Sequence, residues 1–510
     1  MALGMIGAVA PVSPASAATV YVSRTSASPS PPYAAWDTAA HDIQDAVEVA
    51  NSGDTVLVAP GQYDLTNQVA ITNAIVLRSS MGASQTFLNV ALGDYGLWVS
   101  NSAAVIDGFT MQGPASGSDA AGVFLVGGTV QNCAFTNFWL IRQGASVCMT
   151  GGILSNSMVT YNRFDSGSGV YCSGGGLITG CQILGSATVG GSHATGVYLV
   201  DSQLTNSAIV GIRGAREMSD GPALYASNSI IEGCSITHHI NELSGAGAYL
   251  DSCLMDRCLV AYNNCATDVS GDGGGGIFET NSIVRDSLIV SNACSEGVPE
   301  PIATYGGGVY MAGGALVNCT ITGNSAQDCG PAFGAGIYVQ SGGITNCILY
   351  SNYDTGCSNA EDEWFNAGPG IFDHCCTTPD PGGVGNITQD PQFVGLAAGV
   401  VQPWMAGAAD LDGNPRTLND TVDLGAYESQ SSQTQSAAQS VAILGPRWRA
   451  DGFAFSFLAQ RNHAYSIQYT YSLAPARWQA LTNFSGDGTM LNVTNQNLSI
   501  SSCFYRVVAQ

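Results

Sequence analysis

One unit recurs along this chain, and a recurring unit of 20 to 50 residues decides architecture before any local preference does. GLWVSNSAAVIDGF (from Gly96), GVFLVGGTVQNCAF (from Gly122), SVCMTGGILSNSMV (from Ser146) and GVYCSGGGLITGCQI (from Gly169) open the series. GVYLVDSQLTNSAI (from Gly196), PALYASNSIIEGCSI (from Pro222), GAYLDSCLMDRCLV (from Gly247) and GIFETNSIVRDSLI (from Gly276) continue it, and GVYMAGGALVNCTI (from Gly308) and GIYVQSGGITNCIL (from Gly336) end it. Within a unit the first-strand aromatic and a Cys or Ser keep a constant separation, as in Phe124/Cys133, Tyr225/Cys234, Tyr310/Cys319 and Tyr338/Cys347. Between units the aromatic position shifts by 23 residues (Cys148 to Tyr171) up to 32 (Phe278 to Tyr310). Fixed segments joined by one loop of free length describe a single turn of a solenoid. The expected fold is therefore all-β: a right-handed parallel β-helix of about ten to twelve coils.

Side-chain chemistry agrees with that geometry. Three residues before the Cys/Ser stands an unbroken apolar ladder: Val130, Leu154, Ile178, Leu204, Ile231, Met255, Val284, Leu316 and Ile344. Two residues after it runs a second: Phe135, Val159, Ile183, Ile209, Ile236, Val260, Ile289, Ile321 and Leu349. Both must face inward. Between them the residue just before the Cys/Ser is Asn132, Asn156, Gly180, Asn206, Gly233, Arg257, Asp286, Asn318 or Asn346, types that tolerate left-handed backbone, so a one-residue corner is expected in every coil. Arg257 departs from the pattern, and Asp256/Arg257 with Arg285/Asp286 in the next coil suggest crosswise pairing. Asn162, Asn263, Asn292, Asn324 and Asn352, five residues past the Cys/Ser, can stack and share their amides along the axis.

Charge narrows the partners. All 14 basic residues are Arg, no Lys occurs, and the formal net charge is −24. Nucleic acid would require clustered cations to release phosphate counterions, so it is excluded as a partner. Acidic polysaccharides meet the same repulsion unless Ca²⁺ bridges them. No apolar run is long enough to span a bilayer, and a monomer is expected.

The G-G-G-V-Y and I-T-G-N pair (Gly306 to Tyr310, Ile321 to Asn324) resembles the repeats of right-handed β-helix proteins of the pectate-lyase-like superfamily, and also those of polymorphic outer-membrane adhesins. The resemblance covers roughly residues 55 to 358. It implies the fold and not an activity. Downstream, GNITQDPQF (Gly385 to Phe393) and DLDGNPRTLNDTVDLGAYE (Asp410 to Glu428) resemble the choice-of-anchor region that closes many secreted bacterial β-helix proteins, although AGVVQPWMAGA replaces its usual S-P-x-I-x-x-G element.

The expected organisation follows. Residues 1–18, with an A-x-A site at Ala15 to Ala17, read as a secretion signal, which places the protein outside the cell or on its surface. Residues 19–85 form an N-terminal cap and the first coils. There WDTAAHDIQDAVEVANSG predicts a helix presenting Ile43, Val47 and Ala46/Ala50, with Asp37 as N-cap and Gly53 past its end. Residues 86–358 carry the repeats and 359–430 a C-terminal cap. A Ser/Gln-rich linker at 431–440 precedes a period-two segment, 441–510, expected to be a small β-sandwich.

Candidate functional groups lie on and around the first strand. Its alternation turns Trp98, Phe124, Tyr171, Tyr198, Tyr225, Tyr249, Phe278, Tyr310 and Tyr338 outward, interrupted at Cys148. Strands about 4.8 Å apart match the length of a sugar residue, so this stripe could stack a polysaccharide; equally, the rings could stack on one another and shield the sheet. A glycosidase needs two carboxylates beside one bond. The preceding loops supply Glu217, Asp220, Glu242, Asp268, Asp272, Glu296 and Glu300. His238 and His239 lie near Arg213 and Arg216 as acid/base or clamping groups, and Glu279 stands where other coils are apolar. As catalytic candidates we single out Asp220, Glu242, His239, Asp272 and Glu279. The N-T-D, paired-Asp, H-G and R-I-K elements of polygalacturonase-like members are missing, as are the basic residues of lyases.

Asp410, Asp412 and Asn414 alternate oxygen ligands as Ca²⁺ loops do, but the Gly is misplaced and the closing acid is missing, so a turn is the better reading. Six of the sixteen cysteines (Cys133, Cys181, Cys234, Cys258, Cys319, Cys347) fall on the inward ladder and are expected to act as small apolar residues. Cys265 and Cys294 share one loop position in neighbouring coils, as do Cys329 and Cys357, which predicts two disulfides. The expected function is a secreted or cell-surface, carbohydrate-binding or adhesive protein. The alternative is a hydrolase or lyase acting on a neutral polysaccharide along the stripe.

Overall fold

The predicted corner is present in every coil: Asn132, Asn156, Gly180, Asn206, Gly233, Arg257, Asp286, Asn318 and Asn346 all have φ between 46° and 62°. A computed structural model describes residues 17–90, 95–113, 121–140, 145–164, 168–185, 187–188, 195–212, 221–241, 244–267, 273–296, 303–327, 332–354, 363–391, 405, 408–417 and 422–427. In the C-terminal module it describes 444–449, 452–459, 464–470, 478–485, 490–495 and 504–509.

Each coil contributes three short strands, for example Val123–Leu125, Thr129–Gln131 and Ala134–Thr136. They join three parallel sheets of 12, 14 and 12 strands, here sheets I, II and III in the order the chain visits them. Pairing is in register from coil to coil, as in Val130↔Leu154↔Ile178. Both predicted apolar ladders are buried to 0% exposure along their whole length. The chain is thus an all-β parallel solenoid.

A second corner, which the sequence pattern did not reveal, follows sheet III. Asn137, Tyr161, Gly185, Gly211, His238, Tyr262, Ser291, Gly323 and Ser351 have φ between 52° and 67°. At several of these bends the backbone N–H of the following residue is received by a side chain of the next coil. Thus His239 N donates to Asn263 Oδ1 (3.0 Å), Asn263 N to Asn292 (3.0 Å), Asn292 N to Asn324 (2.9 Å) and Asn324 N to Asn352 (3.0 Å). Each Nδ2 in turn donates to a carbonyl of the previous coil and to the next Asn, for example Asn292 to Val260 O (2.9 Å) and Asn324 Oδ1 (3.0 Å). Glu363 ends the ladder beyond Asn352.

The ladder also explains the glycines of the repeat. A Cβ on Gly308 would lie 2.5 Å from Gly336 O and 2.9 Å from Asn324 Nδ2, and Gly247, Gly276 and Gly336 face the same obstruction. Gly and Asn are therefore two halves of one packing arrangement.

The first corner works the same way, and adds hydrogen bonding to the apolar packing expected of the cysteines, all six of which lie in the core. Cys133 N donates to Ser157 Oγ (3.1 Å), Cys181 N to Ser207 Oγ (3.0 Å), Cys234 N to Cys258 Sγ (3.4 Å) and Cys319 N to Cys347 Sγ (3.4 Å). The thiols and hydroxyls donate back to the carbonyl two residues earlier, as Cys258 does to Asp256 O (3.3 Å). These cysteines pack in the core and also make the hydrogen bonds that Ser makes at the same place in other coils. Burial pushes Cys133 up to about 12 and Cys181 to about 11, so they stay protonated.

The predicted crosswise pairing is half realised. Arg285 Nε lies 3.1 Å from Asp256, while Arg257 pairs with Glu232 and Asp286 turns to Arg416 of the C-terminal cap.

Strands after the second corner form a further short sheet in which Cys265 and Cys294 are register partners. Both are buried thiols, not the predicted disulfide. In-register parallel strands hold the two Cβ atoms near the strand spacing of about 4.8 Å, wider than the ~3.8 Å a disulfide prefers. Cys329 and Cys357 lie outside the described residues, as do residues 1–16 of the predicted signal.

At the N-terminal end a helix spans Ile43–Val49, with Ile43, Ala46 and Val47 buried. It is shorter than expected because Asp42, not Asp37, is the N-cap, accepting from Gln44 N (2.9 Å). Asp37 lies instead in a 3-10 turn, Trp36–Thr38. No described helix is long and apolar enough to cross a membrane.

The chain divides into two units at Ser429/Gln430. In the first, the segment around Asp410–Tyr427 packs on the last coils: Gly425 N donates to Asn346 O (2.8 Å) and Ala426 N to Thr320 Oγ1 (3.0 Å). The second unit contains two antiparallel three-stranded sheets around Phe455, Phe457, Tyr465, Ile467, Val493 and Val507.

Candidate functional site

Sheet I carries the aromatic row, and its strands alternate as predicted. In Ile277–Thr280, Ile277 and Glu279 point inward while Phe278 points outward. Register pairs Phe124↔Cys148↔Tyr171↔Tyr198 and Tyr225↔Tyr249↔Phe278↔Tyr310↔Tyr338 carry the row up the solenoid. It extends one coil further than expected, to Phe365. That residue escaped the sequence pattern because Glu363 and Trp364 replace the usual Gly and aliphatic residue before it.

From Tyr171 to Phe365 the rings form one continuous stack. Centroid separations are 5.4, 4.6, 5.4, 4.9, 4.7, 4.9 and 5.7 Å. Most planes lie within 20° of one another, with Tyr310/Tyr338 tilted by 40°. Their faces are thereby used on each other, so a sugar cannot lie flat on an inner ring. What the stack presents outward is a row of edges and phenol hydroxyls at coil spacing. Burial holds Tyr198, Tyr225 and Tyr249 above the usual tyrosine range, with neighbouring phenols and Asp251 adding to it, so the hydroxyls are neutral donors and acceptors.

Beside part of the row, two residues further along the strand, stand polar side chains, while Val126, Val200 and Ala312 interrupt them. Ser227, Asp251 and Thr280 are register neighbours, and Gln340 Nε2 donates to the Tyr310 hydroxyl (2.5 Å). On the loop side Tyr305 meets Tyr338 edge-on at 4.8 Å and stacks on Phe333 at 5.4 Å. These flanking groups were not foreseen, since nothing in the repeat marks them. Trp98, at 36% exposure, stands at the N-terminal end of the row.

Of the proposed catalytic groups, only Glu279 and His239 are among the described residues, and neither reaches this face. Asp220, Glu242 and Asp272, with Glu217, Asp268, Glu300, Arg213 and Arg216, lie outside the described residues. Glu279 is wholly inside the solenoid, between Leu250 and Met311 in register. Its Oε2 accepts from Ser282 N (3.2 Å), its Oε1 has no hydrogen-bond partner among the described residues, and burial drives its pKa well above the carboxylate range. It is a core acid whose burial favours the protonated form.

His239 is also buried, its Nε2 3.1 Å from Gly221 O, and burial lowers its pKa to about 4. It begins the asparagine ladder and serves the backbone. His238 forms the second corner and stacks on Tyr262 at 5.1 Å.

The Asp410 carboxylate accepts from Asp412 N (3.0 Å), Asn414 N (2.8 Å) and Asn414 Nδ2 (3.2 Å), the geometry of a turn. Among the described residues no three His, Cys, Asp or Glu side chains are grouped to hold a metal. A hollow of about 390 Å³ lined by Ser23, Trp36, Asp37 and Pro60 lies at the first strands of sheet II, not on the aromatic face.

No family model matches the chain, and no curated protein matches it. Among solved structures it is similar to the catalytic unit of a thermostable GH87 alpha-1,3-glucanase from Streptomyces thermodiastaticus strain HF3-3, at 13% identity and TM-score 0.29 over 68% of this chain and 65% of that one. Pectate lyase Pel9A gives 13% identity, TM-score 0.26, and 81% and 90% coverage. XylC in complex with xylose gives 9% identity, TM-score 0.39, and 96% and 100% coverage. The chain spans 65% of the length of that glucanase unit.

Proposed function

We propose that this protein binds an extended, neutral polysaccharide along the outer face of sheet I, as a secreted or surface-exposed carbohydrate-binding β-helix. One observation carries the reading: tyrosine edges and hydroxyls repeat every 4.6 to 5.4 Å from Tyr171 to Tyr249, close to one sugar residue per coil. A glycan lying parallel to the axis would meet a phenol hydroxyl at each of Tyr171, Tyr198, Tyr225 and Tyr249, with Ser227 and Asp251 beside the last two. The net charge of −24 favours an uncharged polymer. Binding is preferred to turnover because the two described catalytic candidates, His239 and Glu279, are both buried.

The test is a glycan array of neutral polysaccharides followed by the double substitution Tyr225→Phe/Tyr249→Phe, which keeps the stack and removes two hydroxyls. Binding should weaken about tenfold with unfolding unchanged. Unaltered affinity would overturn the reading.

A further inference from the structure

The stack has one missing ring. Everywhere from Tyr171 to Phe365 consecutive coils place an aromatic against the next at 4.6 to 5.7 Å, but between Phe124 and Tyr171 the register position holds Cys148. Two strand steps separate these rings, about 9.6 Å. One flat six-membered ring occupies one step of this stack, so among the described residues the register leaves, over Cys148, a step the thickness of a single ring with an aromatic side chain on either side.

The surroundings of the gap are built rather than open. Tyr95, on the loop side, stands against Phe124 at 4.8 Å and 52°. Burial holds the Tyr95 phenol above the usual tyrosine range, with Cys148 adding to it. On the other side Val126, 41% exposed, and the exposed Thr150 continue the two strands outward. Cys148 itself is only partly buried, whereas the other twelve described cysteines are buried.

We infer that the gap over Cys148 is a subsite that takes one neutral pyranose ring edge-in, sandwiched between Phe124 and Tyr171. The inference rests on the glycan-binding reading above and adds where a sugar is gripped and which sugars qualify. Two aromatic faces require C–H bonds on both sides of the pyranose, because a hydroxyl pressed against a ring loses its hydrogen bonds. Sugars with all ring substituents equatorial, β-linked gluco- or xylo-configured units, meet that condition. An axial hydroxyl places oxygen against one wall. Tyr95 and Thr150 supply hydroxyls at the rim for the sugar's equatorial oxygens.

The experiment uses the full chain with cellohexaose and xylohexaose, and mannohexaose for comparison. Cys148→Tyr completes the stack and fills the gap, while Cys148→Ser leaves it open. The expected result is at least tenfold weaker cellohexaose or xylohexaose binding by Cys148→Tyr at an unfolding midpoint no lower than wild type. Cys148→Ser should bind as wild type. Mannohexaose should bind at least tenfold more weakly than the better equatorial probe. The same oligosaccharide should slow maleimide labelling of Cys148 in the wild-type protein.

Equal affinity of Cys148→Tyr and wild type, or labelling unaffected by saturating sugar, would overturn the subsite. If Tyr225→Phe/Tyr249→Phe still weakens binding in that case, the broader face survives. Absence of binding by wild type to every neutral glycan overturns both.

Discussion

Arg416 and Asp286 form an ion pair buried from both sides, Nε to Oδ1 at 3.1 Å, that ties the C-terminal cap to a corner of the solenoid. Nη2 donates to the carbonyls of Asp423 and Gly425, while Nε and Nη1 find no aligned hydrogen bond among the described residues despite the close charge contact. Asp286 is also reached by Asn318 Nδ2 (3.0 Å), itself reached by Asn346, so the cap's cation joins the first rung of a ladder that runs through three successive coils. Removing the guanidinium leaves a buried carboxylate without its counter-charge. Arg416→Ala should cost about 3–5 kcal/mol by urea denaturation. Limited proteolysis should then cut first near residues 408–427. A loss under about 1 kcal/mol would mean the cap is held by backbone contacts alone.

The asparagine ladder makes a second, sharper expectation. Asn324 accepts at Oδ1 from two groups of Asn292 and donates from Nδ2 to Ile289 O (3.0 Å) and Asn352 Oδ1 (2.9 Å). Asn324→Leu is close in volume but orphans the Asn292 backbone N–H and the Ile289 carbonyl, at about 1–3 kcal/mol each. Amide exchange at Asn292 should accelerate by several orders of magnitude. Exchange unchanged there would show that the ladder is incidental to the fold.

Two buried titratable groups push stability in opposite directions with pH. Glu279 has a folded pKa raised by burial, so the folded state holds its proton more tightly than the unfolded chain does. Its stabilising effect is complete below the ordinary value of about 4.3 and is lost as pH rises above it. Glu279→Met, matching Leu250 and Met311 on either side, should raise stability more at pH 8 than at pH 5. His239 behaves oppositely: burial lowers it to about 4, so its cost appears as pH falls below about 6.5 and is complete near 4. His239→Ile, the residue of the preceding coil's Ile212, should flatten that acid limb by on the order of 3 kcal/mol. Thermal melts from pH 4 to 8 on both variants provide the check, and parallel profiles for variant and wild type would refute the assignment.

Cys258 sets a test of the relay at the first corner. Ser occupies the same place at Ser157, Ser207 and Ser287 and makes the same two hydrogen bonds. Cys258→Ser should stay within about 1 kcal/mol of wild type. Cys258→Val, apolar and of similar size, should cost about 1–3 kcal/mol by leaving Cys234 N without an acceptor. If the two variants rank the other way, these cysteines are packing residues after all.

What was legible in the sequence follows from which constraints leave a residue signature. The first corner could be read because Asn, Gly and Asp fill it almost without exception, and the inward ladders because a solenoid core admits only apolar side chains. The second corner was hidden because Tyr161, His238, Tyr262 and Ser291 adopt left-handed backbone there, residue types that carry no such signal. The outward row could be located by strand alternation. Whether its rings face each other or a ligand depends on χ angles that a pattern of letters does not encode. Glu279 was noticed as an oddity, but its place in the core needed the register between Leu250 and Met311. The loop acids Asp220, Glu242 and Asp272 belong to the segments of variable length, where no repeat constrains position.

The ladder of Asn263, Asn292, Asn324 and Asn352 has a direction. Each coil's amide nitrogen is received by a side chain belonging to the coil that the chain makes next, never by its own. A coil at the growing end of a nascent chain is therefore incomplete until its successor is laid down. Truncation at any coil boundary within the ladder should leave one frayed rung, whatever the length retained, with the loss confined to nearest neighbours. The carboxylate of Glu363, which takes the last asparagine's N–H and amide, is the chain's own stop signal for this polymerisation in one dimension.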